Sequence, residues 1–289
     1  MLGALAACAT TPVDPASALA MAEVHMEKGE PVPALELLKA VEADDYTGDD
    51  AARYLVRKAL AHAQCGELWN AFDTIRDFGD DHAFSPYAGQ VQNLEFKLGS
   101  SLIQSERGFW IFTSDAEDGR IVLEHFMIHY PEHPAMPDAL RLLGEQAYAA
   151  GDFAIARDRF RELALQHETS EWFLLSRYRI AMSWFYSLEG PEYDLSSMER
   201  TLNELRAFLA SNPENPQFNA EATTAFATVK EWIGRKHLII ADFYREIGQP
   251  RGKVMHWQMA ADRFPETAAS QEARAMLAAA AAGPGGAAQ

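Results

Sequence analysis

The chain has 289 residues, of which 48% are hydrophobic, and its formal net charge is −17 because 42 Asp and Glu outnumber 25 Lys and Arg. This apolar fraction excludes disorder over most of the length, and two Cys exclude a disulfide scaffold. The negative charge disfavours nucleic-acid binding. No uncharged apolar run approaches the roughly 18–20 residues that a membrane span needs, so no transmembrane helix is predicted.

Residues 1–15 are interpreted as a residual signal and tether. The stretch Leu5-Ala6-Ala7-Cys8 resembles a bacterial lipobox, in which a peptidase cleaves before a Cys that carries a lipid. Cys8 is therefore the predicted lipidation site; the alternative is a frayed N-terminus with an incidental Cys. No Lys or Arg precedes Cys8, whereas a signal needs a charged start and about 7–15 apolar residues, which predicts a translation start further upstream.

The chain from 16 to 282 shows helical periodicity interrupted at regular places by glycine. Five residues after Gly29, Gly66 and Gly151 comes an alanine, at Ala34, Ala71 and Ala156. Gly248 follows the same kind of amphipathic run, and short Pro-Glu turns recur, the last of them at Pro265. Self-similarity of this kind predicts a solenoid of helix pairs.

The residue types resemble those of the tetratricopeptide repeat (TPR). The clearest copy has Leu143-Gly144, Tyr148, Gly151, Ala156 and Phe160 in the order of that repeat. The resemblance implies an all-α, right-handed superhelical solenoid of about five to six helix pairs and a closing helix. In it Gly144 lets two helices approach closely, Gly151 ends the first helix in a left-handed conformation, and the alanine begins the second helix. The expected pairs span 16–44, 49–79, 86–130, 136–167, 170–211 and 217–264, followed by the closing helix 266–281.

From residue 136 onward, the order of features resembles BamD, a family of outer-membrane assembly lipoproteins with TPR repeats. The matching stretches are Ala154–Ala156, Ser176–Tyr186, Thr201–Pro213, and Ala261–Thr267 followed by Glu272. The predicted domains are thus N-terminal repeats 16–130, BamD-like repeats 136–282, and a disordered tail 283–289.

The BamD resemblance implies a scaffold that is anchored by its lipid to the periplasmic face of the outer membrane. Its expected partners are a β-barrel assembly protein, unfolded outer-membrane proteins, or both, with no nucleic acid. Two alternatives stay open: a periplasmic adaptor for cell-wall or envelope machinery, and a soluble TPR adaptor.

Repeat solenoids bind partners along the face formed by the first helices of successive pairs. Projecting the groove positions of the repeat onto this sequence predicts nine partner-binding residues: Arg53, Val56, Leu60, Arg141, Glu145, Tyr148, Arg235, Leu238 and Asp242. A second candidate is the apolar insertion containing Phe109, Trp110 and Phe112. The competing interpretations are solvated helix faces for the nine residues, and an insertion that packs on its own helices.

No motif of enzyme chemistry is present, so we predict no catalytic residue, no cofactor and no metal site. His125 and His129 lie one helical turn apart and could share a zinc ion, but a third fixed ligand is not evident. Cys65 is expected to be a structural thiol. The aromatic residues of 172–186 have helical spacing and are expected to lie mostly in the core, with a binding platform as the alternative.

Overall fold

The computed structural model describes residues 14–105, 115–211 and 216–282. Cys8, the insertion residues Phe109, Trp110 and Phe112, and the predicted tail 283–289 lie outside these ranges. The regular elements in the described residues are all helical. In chain order they are α1 (Pro15–Glu27), α2 (Pro31–Lys39), a 3₁₀ turn (Ala43–Asp45), α3 (Asp49–Gln64), α4 (Leu68–Ile75), α5 (Phe78–Asp81), α6 (Ala88–Ile103), α7 (Asp115–His129), α8 (Met136–Ala150), α9 (Phe153–Gln166), α10 (Phe173–Tyr186), α11 (Leu195–Ser211), α12 (Pro216–Glu246), α13 (Pro250–Arg263) and α14 (Ala268–Ala282).

The predicted all-α fold of successive TPR-like helix pairs is confirmed. Neighbouring helices pack as α1 with α2, α3 with α4, α6 with α7, α9 with α10, α11 with α12, and α12 with α13 and α14. The expected second helix of the 49–79 pair is divided into α4 and the single turn α5. The chain forms two compact units, Met1–Leu142 and Leu143–Gln289, so the second unit begins within α8.

Four of the helix pairs share the same turn between their helices. Gly29, Gly66, Gly151 and Gly248 follow the first helix with φ of +73°, +80°, +83° and +70°. At Gly151, the amide of Asp152 donates to the carbonyl of Ala147 at 2.9 Å, and the glycine amide donates to the carbonyl of Tyr148 at 3.1 Å. These two bonds form a Schellman cap, which satisfies carbonyls that a helix end leaves free.

Two of these caps carry an additional side-chain bond. His25 lies at the end of α1, and its Nδ1 lies 2.7 Å from Oε2 of Glu30, which follows the cap glycine. His62 and Glu67 repeat this arrangement at the end of α3 with the same distance. The histidine and the glutamate thereby connect the last turn of one helix to the residue that precedes the next helix.

The alanines at the start of the second helices lie where two helices touch. Ala34, Ala71 and Ala156 are fully buried. In the second unit, a Cβ atom built on Gly144 would lie 2.8 Å from Cζ of Phe160, which is itself fully buried. Gly144 therefore leaves the space that the Phe160 ring occupies between α8 and α9.

Replacing Gly144 by Ala should destabilise the protein by about 1–3 kcal/mol, because the added methyl group overpacks the contact with Phe160. Gly89 is the matched control, since it also lies in a helix but a Cβ atom there would meet nothing within 4 Å. Gly89→Ala should stabilise by up to about 1 kcal/mol through helix propensity. Urea unfolding of both variants distinguishes the two effects, and equal shifts would contradict the proposed contact.

Candidate functional site

The predicted partner-binding residues do not all reach the surface. Arg53, Leu60, Glu145 and Tyr148 are half-buried and present part of their side chains. Val56 is fully buried and packs in the same core cluster as Phe72. The prediction for Val56 was wrong because three residues along a helix turn the side chain by roughly 60°, and this rotation takes Val56 away from the face of Arg53 and into the core.

Leu238 is a second correction. It is only 6% exposed and belongs to the core cluster that contains Trp257 and Ala241. The other two residues projected onto α12, Arg235 and Asp242, are half-buried. Arg235 Nε donates to Glu231 Oε1 at 2.9 Å, and its NH1 bonds Glu272 of α14. Asp242 forms an ion pair with Arg245 on its own helix at 2.9 Å, and Arg141 is half-buried.

In the first unit, a carboxylate of α1 joins two arginines of α3. Arg53 Nε donates to Oε1 of Glu23 at 2.9 Å, and Arg57 Nε donates to the same oxygen at 2.8 Å. Arg53 also bonds Glu23 through NH2, so its contact is bidentate. Burial opposes ionisation of Glu23, but the bonds from Arg53 and Arg57 hold the pKa of its carboxyl below the usual value. The first helices of two successive pairs are thereby linked through their charges.

The second unit has the same kind of link between α8 and α10. Arg179 donates from Nε and NH2 to the two oxygens of Glu145, both at 2.9 Å. The guanidinium of Arg179 also lies 4.2 Å from the centre of the Tyr148 ring. A bidentate Arg–carboxylate bond combined with a cation–π contact fixes the side chain more strictly than an ion pair alone. Two predicted residues, Glu145 and Tyr148, are therefore joined by Arg179, which the sequence projection missed.

A second polar link joins α10 to α12. The hydroxyl groups of Tyr178 and Tyr186 both donate to the carboxylate of Glu221, and the Tyr186 bond measures 2.8 Å. The Tyr178 hydrogen bond is the main reason that the pKa of Glu221 lies below its usual value. Glu221 is therefore ionised at neutral pH and accepts both hydrogen bonds.

Three aromatic rings lie beside these links. Tyr186 is 45% exposed, whereas Tyr148 and Phe153 are half-buried. The Tyr186 ring stacks on Phe153 with centroids 5.8 Å apart and meets Tyr148 edge to face at 6.1 Å. We call the set Glu145, Tyr148, Phe153, Arg179, Tyr186 and Glu221 the aromatic face of the second unit. It offers ring surface whose neighbouring charges are already paired.

The aromatic residues of 172–186 divide between core and surface. Tyr178 is 4% exposed and stacks on Phe218 at 4.5 Å, whereas Tyr186 is partly accessible. Phe185 is half-buried and stacks on Trp232. Helical spacing alone could not separate Tyr178 from Tyr186, because their environments depend on α12, whose Glu221 lies 43 residues after Tyr178 and 35 after Tyr186.

The histidines of α7 make structural contacts. His125 Nδ1 lies 2.6 Å from Oε1 of Glu95 on α6, and His129 Nδ1 lies 2.9 Å from the carbonyl oxygen of His125. Glu95 is fully buried, and burial raises the pKa of its carboxyl. In residues 14–105, 115–211 and 216–282, no three His, Cys, Asp or Glu side chains are grouped to hold a metal ion. Cys65 is a half-buried free thiol.

Comparison with known proteins adds family information. The family model YfiO, described as an outer membrane lipoprotein, matches residues 48–285. No curated protein matches the chain. Among solved structures, MamA AMB-1 is 11% identical, with 87% of this chain and 92% of that chain covered at a TM-score of 0.27. MamA MSR-1 is also 11% identical, with 85% and 94% covered at 0.26.

Within the described part of the chain, none of the helices combines the length and the apolar character needed to cross a bilayer.

The bond between Glu145 and Arg179 should make a measurable contribution to stability. A double-mutant cycle with Glu145→Ala and Arg179→Ala should give a coupling free energy of about 1 kcal/mol, because the pair is bidentate and half-buried. The control pair is Asp73 and Arg76, which lie 3.3 Å apart on an exposed helix surface. Its cycle should give less than about 0.5 kcal/mol. Equal couplings in urea unfolding would show that the link between α8 and α10 has no special role.

Proposed function

The chain belongs to the YfiO family of outer membrane lipoproteins, and on that premise we propose that it is a lipid-anchored periplasmic scaffold that binds protein partners during outer-membrane protein assembly. Helical repeats of this kind work as surfaces for other proteins. The proposed partners are a β-barrel assembly protein, unfolded outer-membrane proteins, or both.

The observation that carries this proposal is the aromatic face of the second unit. Exposed and partly exposed aromatic rings are the residues that most often dominate binding energy at protein interfaces. Tyr186 is held in place by its bond to Glu221 and by its contacts with Phe153 and Tyr148. A ring that is already ordered loses little side-chain entropy when a partner covers it, which favours association.

The electrostatics of this face favour a protein partner that contributes apolar contacts. Arg179 already bonds Glu145, and Glu221 already accepts two hydroxyl groups. A highly charged ligand would have to compete with these internal bonds, and the net charge of −17 repels polyanions. A segment with apolar or aromatic side chains can contact Tyr186 and Tyr148 without breaking them.

Replacing Tyr186 by Ala should greatly reduce the recovery of a β-barrel assembly protein when the full chain is isolated from its host's membranes in mild detergent. Truncating an aromatic anchor costs about 2 kcal/mol or more at an interface, equivalent to more than tenfold in affinity. Mass spectrometry identifies and quantifies the partner.

Two further variants make this experiment specific. Tyr193→Ala is the control, because Tyr193 is a tyrosine of similar exposure (53%) that lies outside the aromatic face. Tyr186→Phe keeps the ring and should retain most of the binding. Recovery of cell-wall enzymes in place of a β-barrel assembly protein would contradict the proposed partner. Equal recovery of the partner with Tyr186→Ala and Tyr193→Ala would contradict the proposed surface.

We propose Cys8 as the point of membrane attachment. A single acyl chain gives only marginal membrane binding, so stable attachment through Cys8 implies more than one chain. Cys8→Ala should move the protein from the membrane fraction to the soluble fraction, as measured by fractionation and immunoblotting. Cys65→Ala serves as the control thiol variant. Unchanged membrane association of Cys8→Ala would contradict the lipid anchor.

A further inference from the structure

Two histidines from neighbouring helices meet in the second unit. Nδ1 of His237 on α12 lies 3.1 Å from Nδ1 of His256 on α13. His237 is 5% exposed, and His256 is half-buried. In the absence of an ion, one Nδ1 must carry a hydrogen and donate it to the other, because each neutral imidazole has one N–H and one lone pair.

The separation of the two nitrogen atoms suits two ligands of one metal ion. Imidazole nitrogens bind metals such as zinc at about 2.0–2.1 Å, and two such ligands at a tetrahedral angle lie about 3.3 Å apart. The observed 3.1 Å differs little from this value. Both rings would bind through Nδ1 as the tautomer that carries its hydrogen on Nε2, so no net proton release is required.

The cleft beside this pair is also lined by methionine side chains, whose sulfur atoms are softer metal ligands than imidazole nitrogen. It has a volume of about 760 Å³, and its lining includes both histidines together with Met255 and Met259. On α13 the side chain of Met259 lies roughly 60° around the helix axis from His256, whereas that of Met255 lies roughly 100° away, so Met259 is the nearer of the two cleft methionines to the direction of His256. The thioether of Met259 is therefore the third ligand that the helix geometry favours.

A second aromatic side chain also contacts the His256 ring. The Tyr244 ring of α12 stacks on it with centroids 5.5 Å apart and an interplanar angle of 19°. Gly252 makes room for this tyrosine, since a Cβ atom there would lie 2.5 Å from Cδ1 of Tyr244. The stacked tyrosine restricts rotation of the His256 ring and so limits the directions in which its Nδ1 can point.

We propose that His237, His256 and Met259 form a binding site for Cu(I). Thioether and imidazole ligands together select a soft ion, whereas a hard divalent ion prefers carboxylates. Over the described ranges, no third His, Cys, Asp or Glu side chain joins this pair. The guanidinium of Arg263, which also lines the cleft, is paired with Glu199. The three ligands are electrically neutral, which suits a monovalent cation.

Anaerobic titration of the full chain with Cu(I) in competition with bicinchoninate tests this site. The wild-type protein should bind one Cu(I) per chain, and Met259→Leu should weaken binding by at least about tenfold because it removes the sulfur at nearly constant volume. Met255→Leu is the matched control: it lies in the same cleft at a similar exposure, 44% against 42%, and should bind like the wild type. His256→Gln should abolish binding, and circular dichroism checks that each variant is folded.

Several outcomes would overturn the site. These are no competition with bicinchoninate by the wild type, Zn(II) binding at the same residues as tightly as Cu(I), and equal Cu(I) affinity in Met259→Leu and Met255→Leu. The test is independent of the proposed partner binding, because its readout is metal affinity of the purified chain and the variants leave the aromatic face unchanged.

Discussion

The repeated turn between helices is the constraint on which the rest of the structure depends. A helix can be followed directly by a second helix that packs back on it only if the chain reverses within a few residues, and the left-handed conformation at Gly29, Gly66, Gly151 and Gly248 achieves this reversal. The two bonds of each cap satisfy carbonyls at the end of the first helix. The buried alanine that follows the first three of these turns then brings the second helix close.

Ion pairs between the first helices of successive helix pairs connect one pair to the next. Glu23 with Arg53 in the first unit and Glu145 with Arg179 in the second have the same chemistry and the same direction along the chain, from the carboxylate of one first helix to the guanidinium of the next. A bidentate Arg–carboxylate bond adds a specific geometry to the apolar packing between neighbouring pairs. These links therefore fix where the side chains between them lie, including Tyr148.

Much of the fold could be predicted from the sequence because its signals are local. Glycine, alanine and proline spacing indicated the helix pairs, and the predicted limits 136–167 and 170–211 lie close to α8–α9 and α10–α11.

The residues of the candidate site could be predicted from the sequence less well than the fold. Arg179, Tyr186 and Glu221 meet through contacts between helices distant in sequence, and Val56 and Leu238 lie on positions where only the packing decides exposure. His237 and His256 also meet only through the packing of two helices. By contrast, the His–Glu pairs at two helix ends have a local signal that the sequence analysis missed, because the five-residue spacing of His25 and Glu30 is repeated at His62 and Glu67.

The internal pairing of charges would also limit how the proposed binding surface recognises a partner. A partner carboxylate that approached Arg179 would have to displace Glu145 and leave that group partly buried without its cation, a penalty that offsets the new bond. Ring contacts with Tyr186 and Tyr148 involve no such exchange, so shape and apolar area contribute more to affinity than charge. On the proposed function, specificity would follow from the placement of the rings, which contact Arg179 and Glu221. The net negative charge of the chain acts at longer range and repels polyanionic ligands before any contact forms.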